Sequence, residues 1–281
     1  MTQILGIVNV TADSFSDGGR FLDPDAAVAH ARQLAAEGAD WIDLGAESTH
    51  PDAQDVPADI EIERLTPVIR RLRADGLRIS VDTHKPAVMR HVLGLGAAMI
   101  NDVCGFKDAD SVAAVRDGDA RLVVMHARGT GEGAGTGSGA RAQRGAAADP
   151  RTIVAEVIEF FRARIAALAA AGIARPRLIL DPGMGLFLSP DPAVSLAVLA
   201  GLPRLRELEL PILVSTSRKG FIGRLLADAG GGPRPVEQRG AGTLISEAWA
   251  AAQGVAYVRT HDVRQLRDAL RVQAAIRAVR S

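Results

Sequence analysis

The chain has 281 residues, of which 47% are apolar, so it can bury a large core and is not a disordered sequence. Its 33 basic and 33 acidic residues cancel, so no net positive field attracts nucleic acid or a membrane surface. The lone Cys104 excludes an internal disulfide and a cysteine metal cluster. Because the first apolar run is far too short for a signal or membrane span, we expect a soluble cytoplasmic protein.

Short apolar segments alternate with amphipathic segments along the chain. The first apolar run, residues 4–8, predicts a strand buried on both faces, and the polar, glycine-ended residues 9–19 predict a loop. Further strands are predicted over residues 41–44, 78–81, 98–100, 121–125, 177–180, 211–214 and 256–258. Helices are predicted over residues 25–38, 60–74, 86–95, 110–116, 152–171, 193–208, 220–227, 242–253 and 263–279.

Two features interrupt this alternation of predicted strands and helices. Pro203 is expected to break the helix over residues 193–208, since proline has no backbone N–H to donate. Residues 127–150 are rich in Gly, Ala and Arg without periodicity, which is typical of a long mobile loop.

Eight strands, each followed by at least one helix, predict a parallel sheet, and in about 280 residues they predict a closed (β/α)8 TIM barrel, an α/β fold. We expect one domain that spans residues 1–281. A doubly wound open sheet is the alternative, but no Gly-x-Gly-x-x-Gly follows a strand to support dinucleotide binding.

Every predicted strand is followed by a polar or charged residue. These residues are Asn9, Asp43, Asp82, Asn101 with Asp102, His126, Asp181, Ser217 to Lys219, and Arg259 with His261. Single residues of this kind are often turn formers, but the βα loops of a barrel surround one mouth, where active sites lie. The set therefore predicts an active site at the mouth.

The kinds of side chain indicate the class of substrate. Asp82, Asn101 and Asp181 are acceptors that suit a flat heterocycle with several N–H donors. The cationic side chains expected after the last two strands, which suit phosphate groups, are Lys219, Arg259 and His261.

Oxygen-bearing side chains in the first loop suggest a magnesium ion. Asn9 and Asp13 carry the ligands that Mg²⁺ prefers, and this ion usually takes the rest from water and substrate phosphates. The sequence has no His-x-Glu-x-x-His, paired cysteines or histidine-rich cluster, which argues against a catalytic zinc.

Seven segments together resemble the signature segments of dihydropteroate synthases. They are residues 9–19, 47–51, 81–85, 100–103, 181–185, 217–223 and 258–263. The resemblance covers the whole chain and implies a folate-pathway barrel. Such an enzyme joins 6-hydroxymethyl-7,8-dihydropterin diphosphate to p-aminobenzoate and releases diphosphate, with Mg²⁺ as cofactor. The family also suggests a homodimer through the late helices.

The resemblance also implies roles for individual residues. Pterin contacts are expected from Asp82, Asn101, Asp181 and Lys219, with Met125 and the wall around Ile100 on the ring face. Diphosphate contacts are expected from Asn9, Arg259 and His261, with Asn9 acting through Mg²⁺. The loop with Asp13 and Phe15 and the loop around Thr49 would close over p-aminobenzoate. The implied catalytic set is Asp82, Asp181, Lys219, Arg259 and His261.

A chemical route follows from these roles. Loss of diphosphate leaves a delocalised pterin cation that Asp181 stabilises, and the aniline nitrogen attacks it without a covalent enzyme intermediate. Two other classes share such a barrel: the pterin-binding domains of corrinoid methyltransferases, which should lack the Ser-Arg-Lys and Arg-x-His cations, and catalytically silent pterin-binding subunits, which should have lost Asn9, Asp181 or Lys219.

The chain departs from the common family pattern on one side of the predicted site. The usual Gly-Gly-Glu-Ser-Thr-Arg-Pro-Gly is replaced by residues 45–52, Asp181-Pro182-Gly183 is followed by Met184, and Gly220 stands where serine is common. These segments resemble the sulfonamide-insensitive branch of the family. We therefore expect weak sulfonamide binding with normal use of p-aminobenzoate.

Overall fold

The computed structural model describes residues 2–11, 23–48, 53–128 and 148–279. Within them the strands are β1 (Gln3–Asn9), β2 (Trp41–Gly45), β3 (Ile79–Asp82), β4 (Met99–Asp102), β5 (Arg121–Met125), β6 (Leu178–Asp181), β7 (Leu213–Val214) and β8 (Tyr257–Thr260). The helices are α1 (Pro24–Ala36), α2 (Ala58–Ala74), α3 (Pro86–Gly94), α4 (Ala109–Val115), α5 (Ile153–Ala170), α6 (Pro192–Leu205), α7 (Gly220–Leu225), α8 (Gly240–Ala252) and α9 (Val263–Ala278).

The eight strands form one parallel sheet that curves into a barrel. Their order is β6-β5-β4-β3-β2-β1-β8-β7, and the two edges meet through an isolated bridge between Leu180 and Ile212. The Leu180 N–H also donates to the Pro211 carbonyl over 2.8 Å. The predicted TIM barrel is therefore confirmed. Because Pro211 cannot donate to the ladder, β7 is shorter than the predicted strand.

The strands separate two hydrophobic cores. The inner core fills the barrel with one large apolar residue from each of seven strands: Leu5, Trp41, Met99, Val123, Ile179, Leu213 and Tyr257. Residues of opposite parity, such as Ile4, Val81 and Leu122, pack against the surrounding helices in the outer core. Burial on both faces explains why the strands are almost continuously apolar.

Several helices begin where an aspartate caps the first turn. Asp23 accepts from the N–H of Asp25 over 3.0 Å, and Asp191 accepts from the N–H of Ala193 over 2.9 Å. In both cases the next residue is a proline, which suits the first helical position because it has no N–H to leave unpaired. Each cap satisfies a backbone N–H in the first turn that has no partner within the helix.

Pro203 does not interrupt α6, contrary to the expectation from the sequence. In a regular helix the backbone N–H at position 203 would donate to the carbonyl of Leu199, but proline has no N–H. That oxygen accepts instead from the Trp249 indole N–H of α8 over 3.1 Å. The neighbouring helix thus supplies the missing donor, and α6 continues through Pro203 to Leu205.

None of the helices in the described part of the chain has the length and apolar character that a membrane span requires.

Candidate active site

Side-chain alternation along the strands carries the expected site residues to one mouth of the barrel. Five inward-facing residues lie two positions after members of the inner core: Asp43, Asn101, Met125, Asp181 and Arg259. The ladder pairs Asp82 with Asn101 and Met125 with Asp181, so these residues lie at similar heights. The carboxyl end of the barrel therefore gathers most of the predicted site.

The Arg259 guanidinium holds two carboxylates within the mouth. Its Nε donates to Asp43 Oδ2 over 2.5 Å, and its Nη2 donates to Asp82 Oδ2 over 2.9 Å. Burial raises the pKa of Asp82 to about 7, because attraction by Arg259 offsets only part of the desolvation. Burial alone would lower the pKa of Arg259, but the two aspartates raise it above its ordinary value, so the guanidinium stays charged.

Asp181 and Lys219 form a second pair of opposite charges. One Asp181 oxygen accepts from the Gly183 N–H over 2.8 Å, and the side chain is buried. Burial raises the pKa of Asp181, while Lys219 opposes that shift. Burial likewise lowers the pKa of Lys219 to about 8, against the attraction of Asp181. The Lys219 ammonium reaches the Met184 carbonyl at 3.4 Å and lies 5.3 Å from the ring centroid of Phe187.

Three buried acceptor atoms in the barrel lack a hydrogen-bond partner within the described part of the chain. They are Asn101 Oδ1, Asp43 Oδ1 and Ser80 Oγ. Asp43 and Ser80 lie side by side in the β2–β3 ladder, and Asn101 lies beside Asp82 in the next ladder. Since unpaired buried polar atoms are costly, these oxygens suit a ligand or water molecules that donate N–H or O–H groups.

An apolar wall borders the polar mouth. Met125 packs with Val103, Ala127 and Phe187 in a small cluster near the carboxyl end of the strands. Ile100 does not join this wall, contrary to the expectation from the sequence, because it lies in the outer core. Asn101 and Ile100 are consecutive in β4, so only one of them can face the interior.

Two glycines let loops cross close to the ends of β5. A Cβ at Gly183 would lie 2.3 Å from the His126 carbonyl oxygen, and one at Gly105 would lie 2.8 Å from the Met125 carbonyl oxygen. Their φ angles of 74° and 66° also fall in the left-handed region. Only glycine fits at these positions, which bring the loops after Asp102 and Asp181 against the end of β5.

Asp102 and His126, two polar residues at strand ends, organise loops and are not directed at the site. The Asp102 carboxylate accepts from the N–H groups of Cys104 and Phe106 over 2.8 and 2.7 Å. His126 Nδ1 lies 3.2 Å from the Pro182 carbonyl oxygen. Burial lowers the pKa of His126 to about 4, so the neutral ring donates its Nδ1 proton to that carbonyl.

The turn before Lys219 is strained and tightly held. Arg218 has a φ of 57°, which is costly for a residue with a Cβ. Its N–H donates to Thr243 Oγ1 over 3.0 Å, its carbonyl accepts from Arg239 Nη1 over 2.8 Å, and its guanidinium pairs with Asp262 over 2.8 Å. These contacts hold the conformation that directs Lys219 toward Asp181.

His261 lies beside the cations but is neutral, which corrects the expectation of a positive charge. Burial lowers the pKa of His261 well below its ordinary value, and Arg218 and Arg259 lower it further. The Ser217 Oγ accepts from the His261 backbone N–H over 3.1 Å and lies 2.9 Å from its Nδ1. When Ser217 donates its proton to Nδ1, the neutral ring carries its own proton on Nε2 and can donate it there.

The residues expected to hold magnesium are only partly described. Asn9 ends β1 beside Gly45, and its Oδ1 lies 3.9 Å from where a Cβ of Gly45 would be. No group of three or more His, Cys, Asp or Glu residues in the described ranges could hold a metal. An amide oxygen with few other protein ligands fits Mg²⁺, which retains water and substrate oxygens. Asp13, Phe15 and Thr49 lie outside the described residues.

Sequence reasoning missed two features near the mouth. The sequence marks Asp43 only as a polar strand end, although its place two residues after Trp41 is a signal that it faces inward. The ion-pair cluster of Lys85 with Glu47 and Glu61 was not predicted, because its members come from three separate elements. The scarcity of lysine in this arginine-rich chain was the available signal for Lys85.

Known proteins are similar to this chain in sequence and in structure. Residues 5–261 match the family described as pterin binding enzyme. Dihydropteroate synthase type-2 of Escherichia coli is 49% identical, covering 98% of this chain and 96% of the relative. The Xanthomonas albilineans dihydropteroate synthase solved with 4-aminobenzoic acid is 43% identical, with a TM-score of 0.85 over 99% of this chain and 93% of that one.

A second solved structure of the Xanthomonas albilineans enzyme contains 7,8-dihydropteroate. It is 41% identical, with a TM-score of 0.82 over 99% of this chain and 94% of that one. The matches to relatives and solved structures extend over nearly the full length of both partners. The chain therefore belongs to the pterin-binding enzymes, as a transferase of the dihydropteroate synthase family.

Proposed function

We propose that the mouth of this barrel condenses 6-hydroxymethyl-7,8-dihydropterin diphosphate with p-aminobenzoate to give 7,8-dihydropteroate and diphosphate. The observation that carries the proposal is the buried Asp181 carboxylate opposite the Lys219 ammonium, in a barrel that also holds the unpaired Asn101 oxygen. Relatives with 4-aminobenzoic acid or 7,8-dihydropteroate bound support the choice of substrates.

The pterin ring binds among the inward-facing acceptors. Asp181 and Asn101 accept from its amino and ring N–H groups, while the Lys219 ammonium donates to ring acceptors. Asp82 lines the same mouth, and Met125 packs on one face of the ring. Because unpaired buried acceptors are costly, this arrangement favours a heterocycle with several N–H donors over an apolar ring of the same size.

The diphosphate binds on the β8 side of the mouth. Arg259 uses two of its five N–H donors on Asp43 and Asp82, so three remain for phosphate oxygens. Neutral His261 donates Nε2–H to the same group. Asn9 would hold Mg²⁺ through its amide oxygen, and the bound ion would supply positive charge beside the diphosphate.

The reaction breaks one bond and forms another at the pterin methylene. The carbon–oxygen bond breaks, and diphosphate leaves with the bonding electrons. Carboxylates already fixed in the mouth, above all Asp181, stabilise the delocalised cation without reorganising. The aniline nitrogen of p-aminobenzoate then attacks the methylene carbon and loses one proton to solvent. No covalent intermediate with the enzyme forms.

The test is formation of 7,8-dihydropteroate from the two purified substrates with Mg²⁺. The product should depend on both substrates and fall in a chelated control. Asp43→Asn should weaken binding of the diphosphate substrate, because Arg259 then loses its buried anchor. Failure of the wild-type protein to form any product with both substrates and Mg²⁺ would reject the proposed reaction.

We also infer weak sulfonamide binding from the side of the mouth that departs from the family pattern. Gly220 begins α7 directly after Lys219, and nothing lies within 4 Å of a Cβ placed there. Gly220→Ser should therefore fold normally and return the hydroxyl that is common in the family. Inhibition by sulfamethoxazole should be weaker than for the Xanthomonas albilineans enzyme at matched p-aminobenzoate, and equal inhibition would reject this inference.

A homodimer through the late helices is the proposed assembly. The neighbouring helices α8 and α9, joined by a bond from Gln273 Nε2 to the Ala248 carbonyl, carry four large exposed apolar side chains. These are Ile245, Trp249, Val272 and Ile276, each at least half exposed. Such a patch suits a second copy of the same chain. Analytical ultracentrifugation should show a dimer that Ile276→Asp dissociates, and a monomeric wild type would contradict it.

The proposed compartment is the cytoplasm. The chain's single cysteine, Cys104, is a free thiol, as is usual where glutathione keeps cysteines reduced.

A further inference from the structure

A second buried charge cluster lies outside the pterin-binding residues. The Lys85 ammonium contacts Oε2 of Glu47 and Oε1 of Glu61. The other Glu61 oxygen accepts from Thr83 Oγ1 over 3.1 Å. The side chains of Lys85, Glu47 and Glu61 are only 18%, 11% and 1% exposed. The Lys85 cluster, which consists of Glu47, Glu61, Thr83 and Lys85, therefore counts as buried and not as a surface ion pair.

The Lys85 cluster ties the beginning of the β2–α2 connection to helix α2. Glu47 lies two residues after β2, and Glu61 lies in the first turn of α2. One helical turn further, Arg64 Nη1 donates to the Ala46 carbonyl over 3.1 Å. Ala46 and Glu47 are consecutive residues of the connection. Arg64 holds Ala46 directly, and Glu61 holds Glu47 through Lys85; the two helix residues are three positions apart in α2.

The charges in this cluster are closely balanced. Burial raises the pKa of Glu61 to about 7, because desolvation outweighs the attraction of Lys85. Removing Lys85 would leave two carboxyl groups together in a buried position, and breaking such a pair by deleting one partner is strongly destabilising. The spacing between the two acids, no longer set by the ammonium, would then change and move Glu47 and its neighbours relative to α2.

A cavity is lined by sequence neighbours of the Lys85 cluster. It has a volume of about 290 Å³ and is lined by Thr11, Ser48, Ile60, Arg64 and residues 53–57. Ser48 follows Glu47 in the chain, and Ile60 precedes Glu61. The lining residues Ser48 and Ile60 are therefore each bonded along the chain to a member of the Lys85 cluster. Thr11 closes a third side, after the end of β1.

We propose that Lys85 is a positioning residue for the second substrate. By joining Glu47 to Glu61, it sets the separation between Ser48 and α2, and with it the width of the cavity in which we place p-aminobenzoate. This inference rests on the proposed function. Lys85 contacts neither substrate. Its effect is therefore on p-aminobenzoate, while pterin binding by the inward-facing residues of the barrel is unchanged.

The experiment compares steady-state kinetics of the wild type and Lys85→Met. We expect the KM for p-aminobenzoate to rise by at least about tenfold, since misplacing a positioning group by about 1 Å can cost about a hundredfold. The KM for the pterin diphosphate and its affinity measured by calorimetry should not change. A matched control is Arg267→Met, because Arg267 is 17% exposed and pairs with Asp40 at the opposite end of β1. It should lower stability without changing either KM.

Each outcome decides the matter. An unchanged KM for p-aminobenzoate in folded Lys85→Met, or an equal rise in Arg267→Met, overturns the inference. If Lys85→Met does not fold, Glu47→Gln serves as the test, because it keeps the contact between Lys85 and Glu61. It should raise the same KM by a smaller factor, and no rise would overturn the inference. An inactive wild type would instead reject the proposed function.

Discussion

The charge state of Lys219 predicts how activity depends on pH. Burial lowers the pKa of this lysine to about 8, which places the loss of its ammonium proton close to the working range. The proposed role requires the charged form, because a neutral amine neither attracts Asp181 nor donates as strongly to the pterin. The experiment therefore raises the pH through about 8 and compares the activity of the wild type with that of Lys219→Arg.

The magnitude follows from a single proton. With a pKa of about 8, about a tenth of the free enzyme keeps the ammonium at about pH 9 and about a hundredth at about pH 10. The value of kcat/KM for the pterin diphosphate should fall in the same proportion. A guanidinium does not titrate in this range, so Lys219→Arg should be less active at neutral pH but lack this alkaline limb.

The assay measures kcat/KM for the pterin diphosphate from about pH 6 to 10 at saturating p-aminobenzoate. Titration of the substrate alone, followed by absorbance, separates its own ionisation from that of the enzyme. Calorimetric binding of the pterin diphosphate gives a second readout if the arginine variant turns over too slowly. A limb near pH 8 that persists in Lys219→Arg would refute the assignment to Lys219.

Three further variants test other parts of the structure. Asp181→Asn should lower turnover by about a hundredfold or more while the circular dichroism spectrum stays unchanged, and near-normal turnover would remove Asp181 from the mechanism. Burial raises the pKa of Glu247 from 4.5 to about 8, so the stability that this side chain contributes is lost as pH rises through that window. In urea titrations, Glu247→Gln should therefore add up to about 3 kcal/mol to the free energy of unfolding at pH 7 and nearly nothing at pH 4. Burial also raises the pKa of the Cys104 thiol to about 12, so Cys104→Ala should keep full turnover, and a loss of activity at unchanged stability would show that the thiol takes part.

The barrel and the place of the polar residues at its mouth could be predicted because their signals are local. Each strand is a short apolar run, each helix repeats with its own period, and a polar residue follows where a strand must leave the core. Asp181 and Lys219 stand at such positions, so the sequence alone places them at the mouth of a parallel barrel. The same local signal also marks Asp102 and His126, which organise loops.

Only the tertiary structure decides which of these polar groups meet and what charge they carry. Arg259 and Asp43 are 216 positions apart, and the pairing of β1 with both β2 and β8 brings their side chains to 2.5 Å. Register decides that Asn101 faces inward and Ile100 outward. Burial beside two arginines makes His261 neutral, and a tryptophan from another helix lets α6 continue through Pro203. These outcomes depend on distance and solvent exclusion, which no local pattern of residues specifies.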